Sequence, residues 1–427
     1  MNPELLERRY RLLGKSAPLF YDKPLHIVRG EGVSLFDEQG IEYLDAYNNV
    51  PVVGHCHPKV VQALARQAAT LNVHTRYVHE YVLDYAERLT STFDPSLDMA
   101  IFTCTGSEAN DLALRMARLL TGKQGIICSN NTYHGNTAAV DQLSTLFRAG
   151  RSDTPCVHPV PFPETYRPLG GLSGDALADA YLAEVELAIK DLERQGGGFA
   201  GVLVCPIFAN EGLPTLPSGY MERLARIVRQ AGGLLIFDEV QAGFGRTGAM
   251  WGHQTIGVVP DLVTLGKPMG NGHPIGGVIS RAELINAFRD RVTYFNTFGG
   301  NPVSCAAGLA VLETIADEGL LDNVREVGGY VANGLRALMD RHTIIGDVRA
   351  RGLFFAVELV SDRQAKAPAD AAARKVINLM RERRVLVSRL GPFDNVLKIR
   401  PPLPFSCDHA DRLLHALDAC LTEAAHV

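Results

Sequence analysis

Leu234-Leu235-Ile236-Phe237, followed at once by Asp238-Glu239-Val240-Gln241, is an apolar run of strand length that ends in two adjacent carboxylates. Its apolar residues are continuous rather than alternating. Such a strand is buried on both faces, which implies a mostly parallel sheet with helices packed on either side. Just upstream, Tyr220–Gln230 reads as an amphipathic helix that ends at Gly232-Gly233. Similar apolar runs stand at 100–104, 126–129, 201–205 and Leu262–Leu265, with helical patterns at 60–71 and 108–120. The alternation predicts a large α/β domain over residues 61–320. Before it, residues 1–60 carry a hairpin, with strands at 33–36 and 41–44 around Asp37-Glu38-Gln39-Gly40. After it, residues 321–427 read as a smaller α+β module: a long helix, short strands at 353–359, 385–388 and Val396–Ile399, and a closing helix. The hairpin is expected to pack with this C-terminal domain.

The 427 residues are 46% hydrophobic and 21% charged, close to the globular average, which argues against disorder and fibrous repeats. Net charge is −5 and no basic block stands out, so nucleic acid is a poor partner. No apolar run approaches about 18 residues, so no membrane span is expected. MNPELLERRYRLLGK lacks the apolar core of a secretory signal. The eight cysteines are scattered without a CxxC pair, which predicts reduced thiols in a cytoplasmic protein.

In parallel α/β sheets ligands sit beyond the carboxyl ends of the strands, and four segments are expected at that edge. Thr105-Gly106-Ser107-Glu108-Ala109-Asn110 opens a helix, where free N–H groups and a hydroxyl suit a phosphate; an ordinary Ser cap is the plainer alternative. Of Asp238 and Glu239, the first is suited to hold a proton on a heterocyclic nitrogen, and one of the two is expected to be a surface acid. Lys267, in Gly266-Lys267-Pro268-Met269-Gly270-Asn271-Gly272, directly follows an apolar strand; desolvated there, its amine would be free to act as nucleophile or base. Asn296-Thr297-Phe298-Gly299-Gly300-Asn301-Pro302 offers further hydroxyl and backbone ligands. Two other motifs do not hold up. Gly243-Phe244-Gly245-Arg246-Thr247-Gly248 matches GxGxxG but starts five residues after its strand and opens no helix, so it fails as a dinucleotide site. His55-Cys56-His57 lacks a second ligand cluster, so a structural role is favoured over metal binding.

As an ordered set, these segments resemble the class III (ω-amino acid) aminotransferases, fold-type I enzymes that use pyridoxal 5′-phosphate. The likeness runs from the Gly32 hairpin to Arg400-Pro401-Pro402-Leu403 and includes Tyr133-His134-Gly135 and the continuous stretch from Asp238 to Gly248. It implies that Lys267 forms the Schiff base and shuttles the substrate proton, while Asp238 keeps the pyridine nitrogen protonated. Gln241 would neighbour the phenolic oxygen and Tyr133 stack on the ring. Gly106 and Ser107 would form the phosphate cup, completed by Thr297 of a second subunit, which makes the expected partner another copy in a homodimer with shared sites.

Several stretches are most similar to the ethanolamine-phosphate and hydroxylysine-phosphate phospho-lyases: Tyr47-Asn48-Asn49-Val50, Gly54-His55-Cys56-His57-Pro58, Gly266 to Pro274, Tyr294-Phe295-Asn296-Thr297 and Asn395-Val396-Leu397-Lys398-Ile399. Arg76 fits that subgroup better, and Arg400 falls where many aminotransferases grip the substrate carboxylate; both become candidate phosphate ligands. The usual Glu-Pro is Cys205-Pro206 here, and the acid that shields the arginine in dual-substrate aminotransferases falls at Asn210, which leaves Arg400 open to an anion; the alternative is that Glu211, one residue on, reaches Arg400. The expectation is therefore elimination of phosphate from a small amino-alkyl phosphate such as O-phosphoethanolamine. The alternative is amino transfer from an ω-amino acid or amine to a keto acid.

Overall fold

The computed structural model describes residues 3–147 and 156–424. Its strands are β1 Ile27–Glu31, β2 Ser34–Asp37, β3 Glu42–Asp45, β4 Met99–Thr103, β5 Gly125–Ser129, β6 Val157–Val160, β7 Phe199–Val204, β8 Leu234–Asp238, β9 Leu262–Leu265, β10 Gly276–Ser280, β11 Ile345–Arg351, β12 Phe354–Asp362, β13 Ala367–Pro368, β14 Val385–Leu386, β15 Ser388–Leu390 and β16 Val396–Ile399. Seven of them form the central sheet in the order β4-β10-β9-β8-β7-β5-β6. The pairs from β9 to β6 are parallel, and β10 runs antiparallel to both of its neighbours. The carboxyl ends of β4, β5, β7, β8 and β9 therefore share one edge.

Continuous hydrophobicity in β8 has the cause inferred for it. Leu235 and Phe237 enter one core, with Val202, Tyr181 and Leu224. Ile236 enters the core on the opposite face, with Leu112, Ala113 and Val278. The sheet is covered on both sides.

A second, antiparallel sheet, β11-β12-β16-β15 with β13 on β12, lies in the C-terminal part of the chain. A third, β1-β2-β3-β14, joins the two ends of the chain: Val385 and Leu386 pair in parallel with Leu44 and Asp45. Residues 385–388, expected as one strand, thus divide between two sheets. The helix Pro302–Asp317, which sequence periodicity did not reveal, is buried on almost every side, and so carries no polar stripe to betray it. Strands β6 and β10 were also unanticipated.

Candidate active site

Two adjoining cavities meet at Lys267. One, of about 280 Å³, is lined by Thr105, Gly106, Ser107, Tyr133, Asp238 and Lys267. The other, of about 540 Å³, is lined by Tyr47, Gln241, Lys267, Arg389, Lys398 and Arg400.

The first cavity is built from strand ends. The helix Gly106–Thr121 begins just beyond β4, capped by Thr105, whose hydroxyl accepts the Glu108 N–H at 3.1 Å. Thr105 is thus the cap. Ser107, the alternative cap, instead sits in the first turn, where its Oγ accepts the Asn136 N–H at 3.3 Å. The first N–H groups of that turn lack intrahelical partners and suit an anion. Glycines set how closely the walls approach. A Cβ on Gly266 would fall 2.9 Å from Gly106 Cα, and one on Gly135 would fall 2.5 Å from Ser107 Oγ.

Asp238, at the end of β8, is 6% exposed. Its Oδ2 accepts Asn110 Nδ2 at 3.0 Å and lies 2.7 Å from His134 Nδ1, while Oδ1 accepts the Val240 N–H at 3.0 Å. Burial pushes the carboxyl upward, but hydrogen bonding and charge from His134, together with Lys267, outweigh it and hold the group below the usual carboxylate range. Asn110 is itself held by the Thr264 hydroxyl at 2.6 Å. His134 and Asn110 are functional residues that reading the sequence did not single out, although each stands inside a quoted motif.

Lys267 lies two residues beyond β9. Its side chain is reached by water within the cavities yet surrounded by protein. This enclosure draws its ammonium below the ordinary lysine range; Asp238 opposes the shift and Arg400 adds to it.

In the second cavity Gln241 is the hub. Its Nε2 donates to Asn210 Oδ1 at 2.8 Å. Its Oε1 accepts both Lys398 Nζ, at 3.0 Å, and Arg400 Nη1. Lys398 and Arg400 are 6% and 4% exposed, and neither is hydrogen-bonded or ion-paired to a carboxylate among the described residues. Burial pushes both below their ordinary ranges, with Arg400 adding to the shift at Lys398. In the sequence Lys398 stands out only as part of the stretch Asn395-Val396-Leu397-Lys398-Ile399. A lysine within a fully buried strand is itself a signal, since lysine is almost never buried without a purpose. Glu211 does not reach Arg400: it accepts the Ser129 hydroxyl at 2.5 Å and the Asn210 N–H at 3.1 Å.

Two other expectations are corrected, that of a surface acid at 238–239 and that of a strand before the Thr297 segment. Glu239 is not a surface acid but fully buried, accepting the N–H groups of Gly252 and His253 at 2.9 and 2.8 Å. The Thr297 segment follows a helix, Ala282–Arg289, rather than a strand. Thr297 and Arg76 are exposed and line neither cavity of their own chain; Arg76 stacks on Phe295 at 3.8 Å. His55 pairs with Asp45 and His57 with Glu318, and no metal-holding cluster occurs among the described residues.

The donor set of the first cavity fits pyridoxal 5′-phosphate. A helix N-terminus with Ser107 suits the phosphate, an ionised Asp238 suits a protonated ring nitrogen, and Lys267 lies where both can be spanned. A sheet of this topology with such a site defines a pyridoxal-phosphate enzyme of the α/β type. Comparison with known proteins agrees. The model of the family described as Aminotransferase class-III matches residues 20–421. The chain is 42% identical to an alanine–glyoxylate aminotransferase 2-like protein of Drosophila melanogaster, covering 98% of this chain and 87% of that one. It is 38% identical to ethanolamine-phosphate phospho-lyase homolog 1 of Caenorhabditis elegans, covering 98% and 93%. A solved phospholyase from Arthrobacter, in complex with phosphoethanolamine, superposes with a TM-score of 0.95 at 47% identity, covering 98% and 99%. The protein belongs to the class III aminotransferase family, and its cofactor is pyridoxal phosphate. No helix among the described residues is long and apolar enough to cross a membrane.

Proposed function

We propose that the protein is a phospho-lyase that eliminates phosphate from a small amino-alkyl phosphate such as O-phosphoethanolamine, giving aldehyde, ammonia and phosphate. The observation that carries this reading is the pair Lys398 and Arg400: two buried cations beside Lys267, sharing one amide oxygen and lacking a carboxylate partner. Buried charge of one sign is costly without a counter-charge. A phosphate dianion supplies it, and arginine can bind that group bidentately.

When bound, pyridoxal phosphate supplies a sink for the electron pair left at the substrate carbon. The residues of the chain do the rest. Gly106 and Ser107 would hold the cofactor phosphate, Tyr133 would stack on the ring, Gln241 would neighbour the phenolic oxygen, and Asp238 would keep a proton on the ring nitrogen. Lys267 would hold the cofactor and, with its amine freed when the substrate amine takes its place, would take the proton from the carbon bearing that amine. Lys398 and Arg400 hold the phosphate as its C–O bond breaks and it leaves with the bonding electrons. The unsaturated amine released then reacts with water to give aldehyde and ammonia. Thr297 completes the phosphate cup of a second copy, and Arg76 adds a cation at that shared site. Their position in an exposed patch with Phe298, Tyr77 and Val78 supports a homodimer. Eight free cysteines support a reducing compartment such as the cytoplasm.

The related phospholyase captured with phosphoethanolamine supports the same substrate class. Equally close aminotransferase relatives favour a second reading, amino transfer from an ω-amino acid or amine to a keto acid. The test is phosphate release from O-phosphoethanolamine with no keto acid present. Turnover only after a keto acid is added would reject the lyase.

A further inference from the structure

We propose that Arg246, at the centre of the glycine-rich stretch 243–248, is a positioning residue that sets Lys398 and Arg400 at the separation a phosphate requires. The inference rests on the phospho-lyase reading and adds to it a determinant outside both cavities.

Arg246 is fully buried, and no carboxylate hydrogen-bonds to it among the described residues. Its Nε donates to Asn49 Oδ1 at 3.0 Å, and its Nη1 donates to the carbonyls of Leu353, at 3.1 Å, and Pro401. Asn49 passes the contact on: its Nδ2 donates to the backbone carbonyl of Gln241 at 3.3 Å. The side chain of Gln241 accepts both anion-site cations. Pro401 directly follows Arg400, which closes a circuit: Arg246, Pro401, Arg400, Gln241, Asn49 and back to Arg246. One rigid guanidinium therefore grips the two pieces of backbone that carry the site, the turn after β8 and the end of β16. Lysine, a point donor on a flexible stem, cannot hold acceptors in two directions in this way.

The glycines serve the same docking. A Cβ on Gly245 (φ +83) would fall 2.8 Å from Leu321 Cδ2, and one on Gly352 (φ +55) would fall 2.6 Å from the Arg246 carbonyl oxygen, which accepts the Leu353 N–H at 3.0 Å. The GxGxxG match is thus a clasp between the central sheet and the C-terminal strands. It places a guanidinium behind the anion site, where Arg246 and Arg400 repel each other and Asp45 only partly offsets the charge, which favours an anionic ligand in front.

The experiment uses the holoenzyme and inorganic phosphate as the probe. Phosphate Kd is measured by calorimetry in the wild type, in Arg246→Lys and in Asn49→Leu, which opens the circuit without removing the guanidinium. Both variants are expected to raise the phosphate Kd about ten-fold or more and the KM for O-phosphoethanolamine in parallel, with kcat within about three-fold and cofactor affinity unchanged. If Arg246→Lys does not fold, Asn49→Leu decides alone. Wild-type phosphate affinity in the variants overturns the clasp, as does a loss of cofactor affinity equal to the loss of phosphate affinity. The two readings fail separately. Phosphate binding weakened in the variants, in an enzyme that does not turn over O-phosphoethanolamine, removes the lyase and keeps the clasp. Turnover with unaltered phosphate binding in the variants removes the clasp and keeps the lyase.

Discussion

On our reading three side chains decide the chemistry, and each is shaped by its surroundings. Asp238 stays ionised although buried because His134, Asn110 and the Val240 N–H surround it. Asp238→Asn should lower kcat at least about a hundred-fold while leaving the melting temperature within a few degrees, because the ring nitrogen loses its proton but the shape is kept. Unchanged turnover would refute the role. Lys267 has a depressed folded value, so its free amine becomes available at a pH below the ordinary lysine value of about 10.4. The rate at which apoenzyme recaptures cofactor should rise with pH and reach its midpoint below that value. Arg400 contributes to the depression and Asp238 opposes it. The midpoint should therefore move up in Arg400→Met and down in Asp238→Asn; stopped-flow absorbance at several pH values checks the sign. Lys267, Asp238 and Arg400 were all legible in the sequence because each stands in a quoted motif at a strand end. Lys398 was not: its neighbourhood with Gln241 arises only when β16 is brought against the turn after β8.

At the scale of elements, legibility followed burial pattern. Strands β8, β9 and β16 and the helix Tyr220–Gln230 match their readings residue for residue, because apolar runs and a clean polar face mark them. The helix Pro302–Asp317 escaped because nearly all of it is buried, and residues 385–388 were misread because a single apolar run serves two sheets. The start of the helix Gly106–Thr121 carries a testable consequence. Gly266→Ala would drive a methyl to 2.9 Å from Gly106 Cα, against backbone that has no side chain to move aside. The cofactor Kd should rise about ten-fold or more, measured by equilibrium dialysis. Thr105→Ala removes the cap and should cost about 1 kcal/mol of stability in a denaturant titration, with a smaller effect on cofactor than Gly266→Ala.

At the scale of the whole molecule, the sites are not complete within one chain on our reading. Thr297 and Arg76 sit outside both cavities of their own chain, in a patch with exposed Phe298, Tyr77 and Val78. A homodimer with reciprocal sites predicts complementation between two defective chains. Lys267→Ala and Thr297→Asp enzymes, each inactive, should regain about a quarter of wild-type activity when refolded together in equal amounts, since half the dimers are mixed and each has one intact site. No recovery would place Thr297 in its own chain's site. Chain-to-chain geometry of this kind leaves only a weak trace in one sequence, namely hydroxyl and aromatic residues in a loop with no core to fill.

The central claim is that Lys398 and Arg400, beside Lys267 and without a hydrogen-bonded carboxylate among the described residues, select a phosphate as leaving group. Its most direct test compares kcat/KM of the wild-type holoenzyme for O-phosphoethanolamine without keto acid and for β-alanine with a saturating keto acid. The account predicts that the first exceeds the second at least about a hundred-fold, the effect of a few kcal/mol of differential binding. A β-alanine value equal to or above the phosphoethanolamine value would contradict it.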